Sequence, residues 1–324
     1  MKIVICEFMD EPSVNVLRER FDVVYDPALV DRGAELQGHL ADADALVVRN
    51  RTQVRGALLD AAPRLRVVGR LGVGLDNIDV PACQARAIEV IPATGANALA
   101  VAEYVITSCL LLLRGAWLST AVVAAGEWPR TALSDGRESA GKTLGLVGFG
   151  GIGQLAARMA GALGMRAVAY DPLLPADAPA WRETGTARVS LEELLAQADA
   201  VSLHVPLTDA TRALLDANRI AAMKPGAVLV NTARGGIVDE TALAQALRDG
   251  HLGGAALDVF EHEPLAAGSP LAGAPNLILT PHIAGVTRES NQRVSSLIAE
   301  RVAASLDAIH SKENTACQDL ALNN

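Results

Sequence analysis

Between Thr143 and Asp171 the chain reads TLGLVGFGGIGQLAARMAGALGMRAVAYD, and no other stretch restricts the possible folds as tightly. An apolar run, Thr143–Val147, passes straight into Gly148-Phe149-Gly150-Gly151-Ile152-Gly153. A helical stretch, Ile152–Leu163, and a second apolar run, Ala167–Tyr170, follow. Strand, glycine turn, helix and parallel strand make the βαβ unit that seats a dinucleotide. Gly148 permits the tight turn, Gly150 lets backbone approach the pyrophosphate, and Gly153 lets the helix pack on the strand. The N-terminal end of the helix, with free N–H groups and the positive dipole end, receives the phosphates. Asp171 closes the second strand, 18 residues after Gly153. A carboxylate there accepts hydrogen bonds from the adenosine ribose and repels a 2′-phosphate, so NAD is expected rather than NADP.

The remaining chain alternates in the same way. Short β-branched runs at Lys2–Cys6, Ala45–Val48, Arg66–Val68 and Glu89–Ile91 are separated by amphipathic segments such as Val14–Arg20 and Pro81–Ala87. A long apolar helix, Ala98–Arg114, follows. A second series then places strands at Thr143–Val147, Ala167–Tyr170, Ala200–Leu203, Ala227–Val230, Gly254–Val259 and Leu277–Leu279. Glu240–Asp249 fits a helix between two of these. Such alternation predicts parallel sheets covered by helices. With 324 residues, two domains are expected. The final amphipathic helix, about Arg288 to Ile309, is expected to return to the first domain, and the last dozen residues to fray.

Half of the residues are hydrophobic and the formal net charge is −9. That is ample material for a core, and the charge disfavours nucleic acid or an anionic membrane surface as partner. Cys6, Cys83, Cys109 and Cys317 form no CxxC pair, which predicts reduced thiols in the cytoplasm and neither a disulfide framework nor a metal site. The N-terminus has no basic start or long apolar run of a signal peptide, and no run is long enough for a membrane span.

Four stretches taken together resemble the D-isomer-specific 2-hydroxyacid dehydrogenase family, over about Val47 to Thr287. They are Gly69–Asp79 (GRLGVGLDNID), the glycine fingerprint, Asn231–Asp239 (NTARGGIVD), and Gly254–Pro264 (GAALDVFEHEP) joined to Leu279–Thr287 (LTPHIAGVT). The resemblance implies a Rossmann-type NAD domain, 98–286, inserted in a flavodoxin-like substrate domain, 1–97 with 287–324. It also implies a homodimer or larger assembly. The family's catalytic trio falls on Arg234, Glu263 and His282. The residue types suit the chemistry: an imidazole exchanges the hydroxyl proton, a carboxylate fixes its tautomer, and a forked guanidinium holds the substrate carboxylate. His262 reads as a surface residue, and His204 as lining the cofactor pocket through its backbone. By the same resemblance, NAD contacts fall on Gly151, Ile152, Thr208, Thr232, Ala233, Asp258, Ala284 and Gly285. The N–H groups of Val73 and Gly74 are expected to hold the substrate carboxylate.

Arg49 and Arg51 follow the strand Ala45–Val48. In an extended segment residues two apart face one side, so two guanidiniums would make an anion site. VRNRT also resembles the distal-phosphate segment of phosphoglycerate dehydrogenases, with Arg70 a third possible member. The expected substrate is a small 2-hydroxy or 2-keto acid with a second anionic group, of 3-phosphoglycerate, sulfolactate or dicarboxylic type. A glyoxylate/hydroxypyruvate-type reductase and a non-catalytic NAD-sensing binding module stay open as alternatives.

Overall fold

The computed structural model describes residues 1–322, without the side chains of Leu118 and of residues 313–322. The chain divides into two compact units, Met1–Asn97 with Val286–Asn324, and Ala98–Gly285.

In the first unit, strands β1 (Lys2–Ile5), β2 (Asp22–Tyr25), β3 (Ala45–Val48), β4 (Val67–Arg70) and β5 (Glu89–Pro92) form a sheet in the order β2-β1-β3-β4-β5. Every pairing is parallel. This is the flavodoxin-like order. All four residues of β3 are buried, as expected of a strand covered on both faces. One face packs Ile3, Ile5, Val47 and Val67 against Val294, Ile298, Val302 and Leu306 of the closing helix, Arg288–Leu322. The other face buries Val4, Leu46, Val48 and Val68 with Leu36, Leu40 and Leu59. Gly69 is required by the closing helix: a Cβ there would lie 2.8 Å from Val302 Cγ2 and 2.9 Å from Ile298 Cγ2. The expected frayed tail is instead helical to Leu322, while Asn323 and Asn324 lie outside the described residues. Cys6, Cys83 and Cys109 are free and buried, and the Cys317 side chain lies outside the description.

In the second unit, strands β6 (Thr143–Val147), β7 (Arg166–Tyr170), β8 (Ala187–Arg188), β9 (Ala200–Leu203), β10 (Val228–Asn231), β11 (Gly254–Leu257) and β12 (Leu277–Leu279) run in the order β12-β11-β10-β9-β6-β7-β8. All pairings are again parallel. The order reverses beside β6, giving the Rossmann topology, in which ligands bind at the strand ends next to the reversal. Helices Ala98–Arg114 and Gly151–Ala162 cover one face through Ala102, Val105, Cys109, Ala156 and Ala160. Leu191–Gln197 and Glu240–Arg248 cover the other through Leu194, Leu195, Leu243 and Leu247. The scarcity of large aromatics suits this packing, since small helix residues bring the helix axes close to the sheet.

β2 and β8 were not visible in the sequence. Both are edge strands. β2 has no fully buried residue and β8 is exposed throughout, so neither carries a continuous apolar run.

One polar device shapes the first unit. Glu7, just past β1, is 4% exposed. Its carboxylate accepts N–H bonds from Arg49 (2.9 Å), Asn50 (3.2 Å), Arg51 (3.1 Å) and Thr52 (3.0 Å). Burial alone would raise its pKa, but the N–H bonds from Arg49, Thr52 and Arg51 outweigh that and hold it below the ordinary glutamate value. Glu7→Gln therefore costs about 1–3 kcal/mol in urea denaturation near neutral pH, because an amide cannot accept all four donors. The folded carboxyl titrates below the unfolded one, so this contribution is present above the unfolded value and fades as the pH falls through the folded one. The gap between wild type and variant should narrow accordingly in acid.

Candidate active site

The site is built on the turns that leave the C-terminal ends of β6, β7, β9, β10, β11 and β12. At β6, Gly148 adopts φ +93°, and a Cβ there would lie 2.7 Å from the His204 carbonyl oxygen. A Cβ on Gly153 would lie 2.6 Å from the Gly148 carbonyl oxygen, so only glycine lets the helix start this close to the strand. Gly150 and Gly151 face open space, and no side chain caps the helix Gly151–Ala162. Its first N–H groups are thus left for an anion. The Asp171 carboxylate accepts N–H bonds from Phe149 (2.8 Å), Leu173 (2.9 Å) and Leu174 (3.1 Å). It thereby ties the end of β7 to the glycine turn.

Beyond β9, the carbonyl of His204 packs on the glycine turn while its ring nitrogen Nε2 is buried. Burial pushes the imidazole down to about 4, so it is neutral at physiological pH. Ser202 Oγ, His204 Nε2 and Thr232 Oγ1 are buried without a partner among the described residues. Orphaned polar atoms beside a glycine cradle are what a polar cofactor would satisfy. Thr208 closes an exposed turn, with its N–H 2.8 Å from Thr211 Oγ1.

The turn after β10 carries Arg234. Asn231, 2% exposed, braces it: its Oδ1 accepts the Ala233 N–H at 3.0 Å and its Nδ2 donates to the Arg234 carbonyl at 2.9 Å. A Cβ on Gly235 would fall 1.8 Å from the Phe260 carbonyl oxygen. That glycine lets the Arg234 turn lie directly on the loop after β11, which carries Glu263. Glu263 Oε1 accepts the Phe260 N–H at 3.1 Å, and its Oε2 lies 2.9 Å from His282 Nδ1. Arg234 Nη1 donates to the Ala233 carbonyl at 2.6 Å.

His282 follows β12 with φ +55°, a left-handed conformation rare for histidine. Asp258, at the end of β11 and 1% exposed, holds its loop. The carboxylate accepts the Thr280 hydroxyl (2.6 Å) and the Ile283 and Ala284 N–H groups (both 2.8 Å). The Asp258 carbonyl accepts the His282 N–H at 2.9 Å. The structure thus brings Glu263 and His282 into contact and ties Asp258 and Ala284 into the loop that carries His282. His262 is exposed. Asn231, Thr280 and Tyr104, whose hydroxyl lies 2.6 Å from Thr280 Oγ1, were missed by sequence reasoning. Asn231 and Thr280 stood inside quoted motifs, whereas Tyr104 gave no signal.

The first unit corrects one expectation. Residues 49–52 are not extended; they curl so that consecutive N–H groups converge on Glu7, and side-chain alternation does not apply. Arg51 forms an exposed ion pair with Asp31. Arg49 instead donates to Asn291 Oδ1 at 2.7 Å and lies 5.7 Å above the Phe8 ring. Among the described residues the two guanidiniums share no hydrogen-bond partner, although both feel the Glu7 charge. Arg70 folds back onto the Leu71 carbonyl at 3.1 Å, and Val73 and Gly74 lie in an accessible turn.

Comparison with known proteins agrees with this geometry. Residues 106–284 match the D-isomer specific 2-hydroxyacid dehydrogenase, NAD binding domain. The chain is 58% identical over 300 residues to (S)-sulfolactate dehydrogenase of Chromohalobacter salexigens, covering 93% of this chain and 96% of that one. It is 39% identical over 303 residues to D-3-phosphoglycerate dehydrogenase of Methanocaldococcus jannaschii, covering 93% of this chain but 57% of that relative. The chain thus spans little more than half of this second relative. Among solved structures, a glyoxylate reductase from Paecilomyes thermophila superposes with a TM-score of 0.82 at 30% identity, over 94% of this chain and 95% of that one. Gly153→Ala should weaken NADH binding by at least about tenfold in a fluorescence titration, because the helix start must retreat from the Gly148 carbonyl.

Proposed function

This chain belongs to the D-isomer-specific 2-hydroxyacid dehydrogenase family and is an NAD-dependent oxidoreductase of hydroxy acids, and on that premise we propose that its substrate is sulfolactate. The observation that carries the catalytic reading is the 2.9 Å contact between His282 Nδ1 and Glu263 Oε2. Glu263 keeps the proton on Nδ1, which leaves the Nε2 lone pair to accept the proton of the substrate hydroxyl. The same carboxylate stabilises the imidazolium once that proton arrives. Arg234 holds the substrate carboxylate and polarises the C2 oxygen. NAD, when bound, accepts the hydride that leaves C2. In the reverse direction His282 returns the proton to the keto oxygen.

The cofactor contacts are carried over from the family resemblance onto this cradle. N–H groups of Gly151 and Ile152 would meet the pyrophosphate and Asp171 the adenosine ribose. Thr208, Thr232, Ala233, Asp258, Ala284 and Gly285 would line the remaining length. On the substrate side, the Val73 and Gly74 N–H groups meet the carboxylate. The unit Ala98–Gly285 then serves as the NAD domain and Met1–Asn97 with Val286–Asn324 as the substrate domain.

A sulfonate suits the arginines better than a phosphate. A phosphate monoester carries nearly two charges at neutral pH, whereas a sulfonate carries one. Arg51 is engaged by the exposed carboxylate of Asp31, and Arg49, backed by Asn291, also faces the Glu7 charge, so the pair offers less than two free positive charges and suits a monoanion. The 58% identity to a sulfolactate dehydrogenase, against 39% to a D-3-phosphoglycerate dehydrogenase, favours the same choice.

A second copy of the chain is the proposed partner: Trp128 is 78% exposed and Val123 41%, an apolar surface that a homodimer would cover. Light scattering that reports a monomer at working concentration would remove that part. No described helix is long and apolar enough to cross a membrane. The free, buried thiols fit a reducing compartment, and the cytoplasm is proposed; recovery from a periplasmic fraction would refute it.

Two measurements test the reading. His282→Asn should lower kcat for sulfolactate oxidation by about 10²–10⁴-fold while NADH still binds. Arg49→Ala should raise KM for sulfolactate by roughly 10- to 100-fold and leave KM for lactate nearly unchanged, with Arg51→Ala far milder. An equal rise for both acids would sink the sulfonate assignment.

A further inference from the structure

The loop that carries His282 is tethered to the helix Ala98–Arg114 by a chain of hydroxyl groups. Tyr104 Oη lies 2.6 Å from Thr280 Oγ1, and Thr280 Oγ1 donates to Asp258 Oδ1 at 2.6 Å. A hydroxyl has a single proton, and a carboxylate can only accept. Thr280 gives its proton to Asp258, so the Tyr104 hydroxyl must be the donor to Thr280. The chain runs one way, from phenol to threonine to carboxylate. Burial, with the Asp258 charge acting in the same sense, raises the Tyr104 hydroxyl above its ordinary value, so it remains a donor across the working pH range.

Asp258 passes the constraint on. Its carboxylate oxygens accept the N–H groups of Ile283 and Ala284, the two residues after His282, and its carbonyl accepts the N–H of His282 itself. His282 stands at φ +55°. A left-handed conformation is strained for a residue with a Cβ, so it persists only where surrounding bonds impose it. These three bonds all end on one buried aspartate, and Thr280 helps fix the rotation of its carboxyl group through Oδ1, the oxygen that also accepts the Ile283 N–H. A turned carboxylate would loosen the Ile283 and Ala284 N–H groups together, and Nδ1 would no longer face Glu263.

We propose that Tyr104 and Thr280 are positioning residues for the acid–base histidine, acting through Asp258 to hold His282 in the conformation that meets Glu263. Neither hydroxyl touches the reacting atoms. The inference rests on the reading of His282 as the proton acceptor, and its test separates the two.

The experiment compares Tyr104→Phe, Thr280→Val, Thr280→Ser and His282→Asn in the full chain with sulfolactate and NAD. It records kcat, KM, NADH affinity by fluorescence and the thermal midpoint. Tyr104→Phe should lower kcat about tenfold and Thr280→Val about a hundredfold, since misplacement of a catalytic group by an ångström has effects of that order. KM for sulfolactate should stay within about twofold, NADH affinity should fall far less than kcat because Asp258 and Ala284 also belong to the proposed cofactor lining, and Thr280→Ser, which keeps the hydroxyl, should restore most of the turnover. Unchanged kcat in Tyr104→Phe and Thr280→Val overturns the proposal. So does a kcat loss matched by loss of NADH binding, or a Thr280→Ser variant as slow as Thr280→Val, because the side chains would then be ordinary packing. A His282→Asn protein that keeps its turnover sinks the acid–base assignment itself, whereas full kcat in Tyr104→Phe beside an inactive His282→Asn leaves that assignment standing.

Discussion

A carboxylate taken out of water must be surrounded by donors, and both units are organised by that demand. In the second unit Asp258 collects one hydroxyl and two backbone N–H groups, and the loop bearing His282 is the shape those bonds impose. In the first unit Glu7 collects four backbone N–H groups, and residues 49–52 take the curl that results. Each aspartate or glutamate converts an otherwise mobile turn at a strand end into a fixed one. Loops fixed in this way can present a histidine or an arginine to a substrate with little loss of entropy on binding.

The parallel sheets explain why the reactive groups gather where they do. Every strand of a parallel sheet ends on the same edge, so the turns after β6, β9, β10, β11 and β12 are neighbours although their residues lie far apart in the chain. Glycines set how near those turns come. Gly148 is pressed against His204, Gly153 against Gly148, and Gly235 against Phe260, each at a distance that no Cβ would allow. Glu263 and His282, nineteen positions apart, meet at 2.9 Å because adjacent β11 and β12 deliver them to one place.

Much of this was legible beforehand. Buried strands announce themselves as continuous apolar runs, and β3, β6, β9, β10 and β11 were all readable on that basis. β2 and β8 were not, since an edge strand owes its pairing to one neighbour and needs no apolar sequence of its own. Arg234, Glu263, His282 and the glycines were legible as motifs. The arrangement of Arg49 and Arg51 was misread, because period-two alternation holds only while the chain is extended, and a carboxylate from another strand had bent it. Tyr104 was invisible for a related reason. On an apolar helix a tyrosine looks like core, and only the partner that meets its hydroxyl makes it more.

By itself, the order of residues determined two successive α/β series, a glycine turn for a dinucleotide with an acid behind it, and the side chains capable of the proton and carboxylate chemistry. Periodicity and glycine spacing are local properties, and local properties survive in a linear text. The tertiary structure alone decided which donors each buried carboxylate would gather, and therefore that His282 adopts a left-handed backbone and that Arg49 and Arg51 part company. Those outcomes depend on hydrogen bonds between segments distant in the chain, whose geometry exists only after the sheets have brought their ends together.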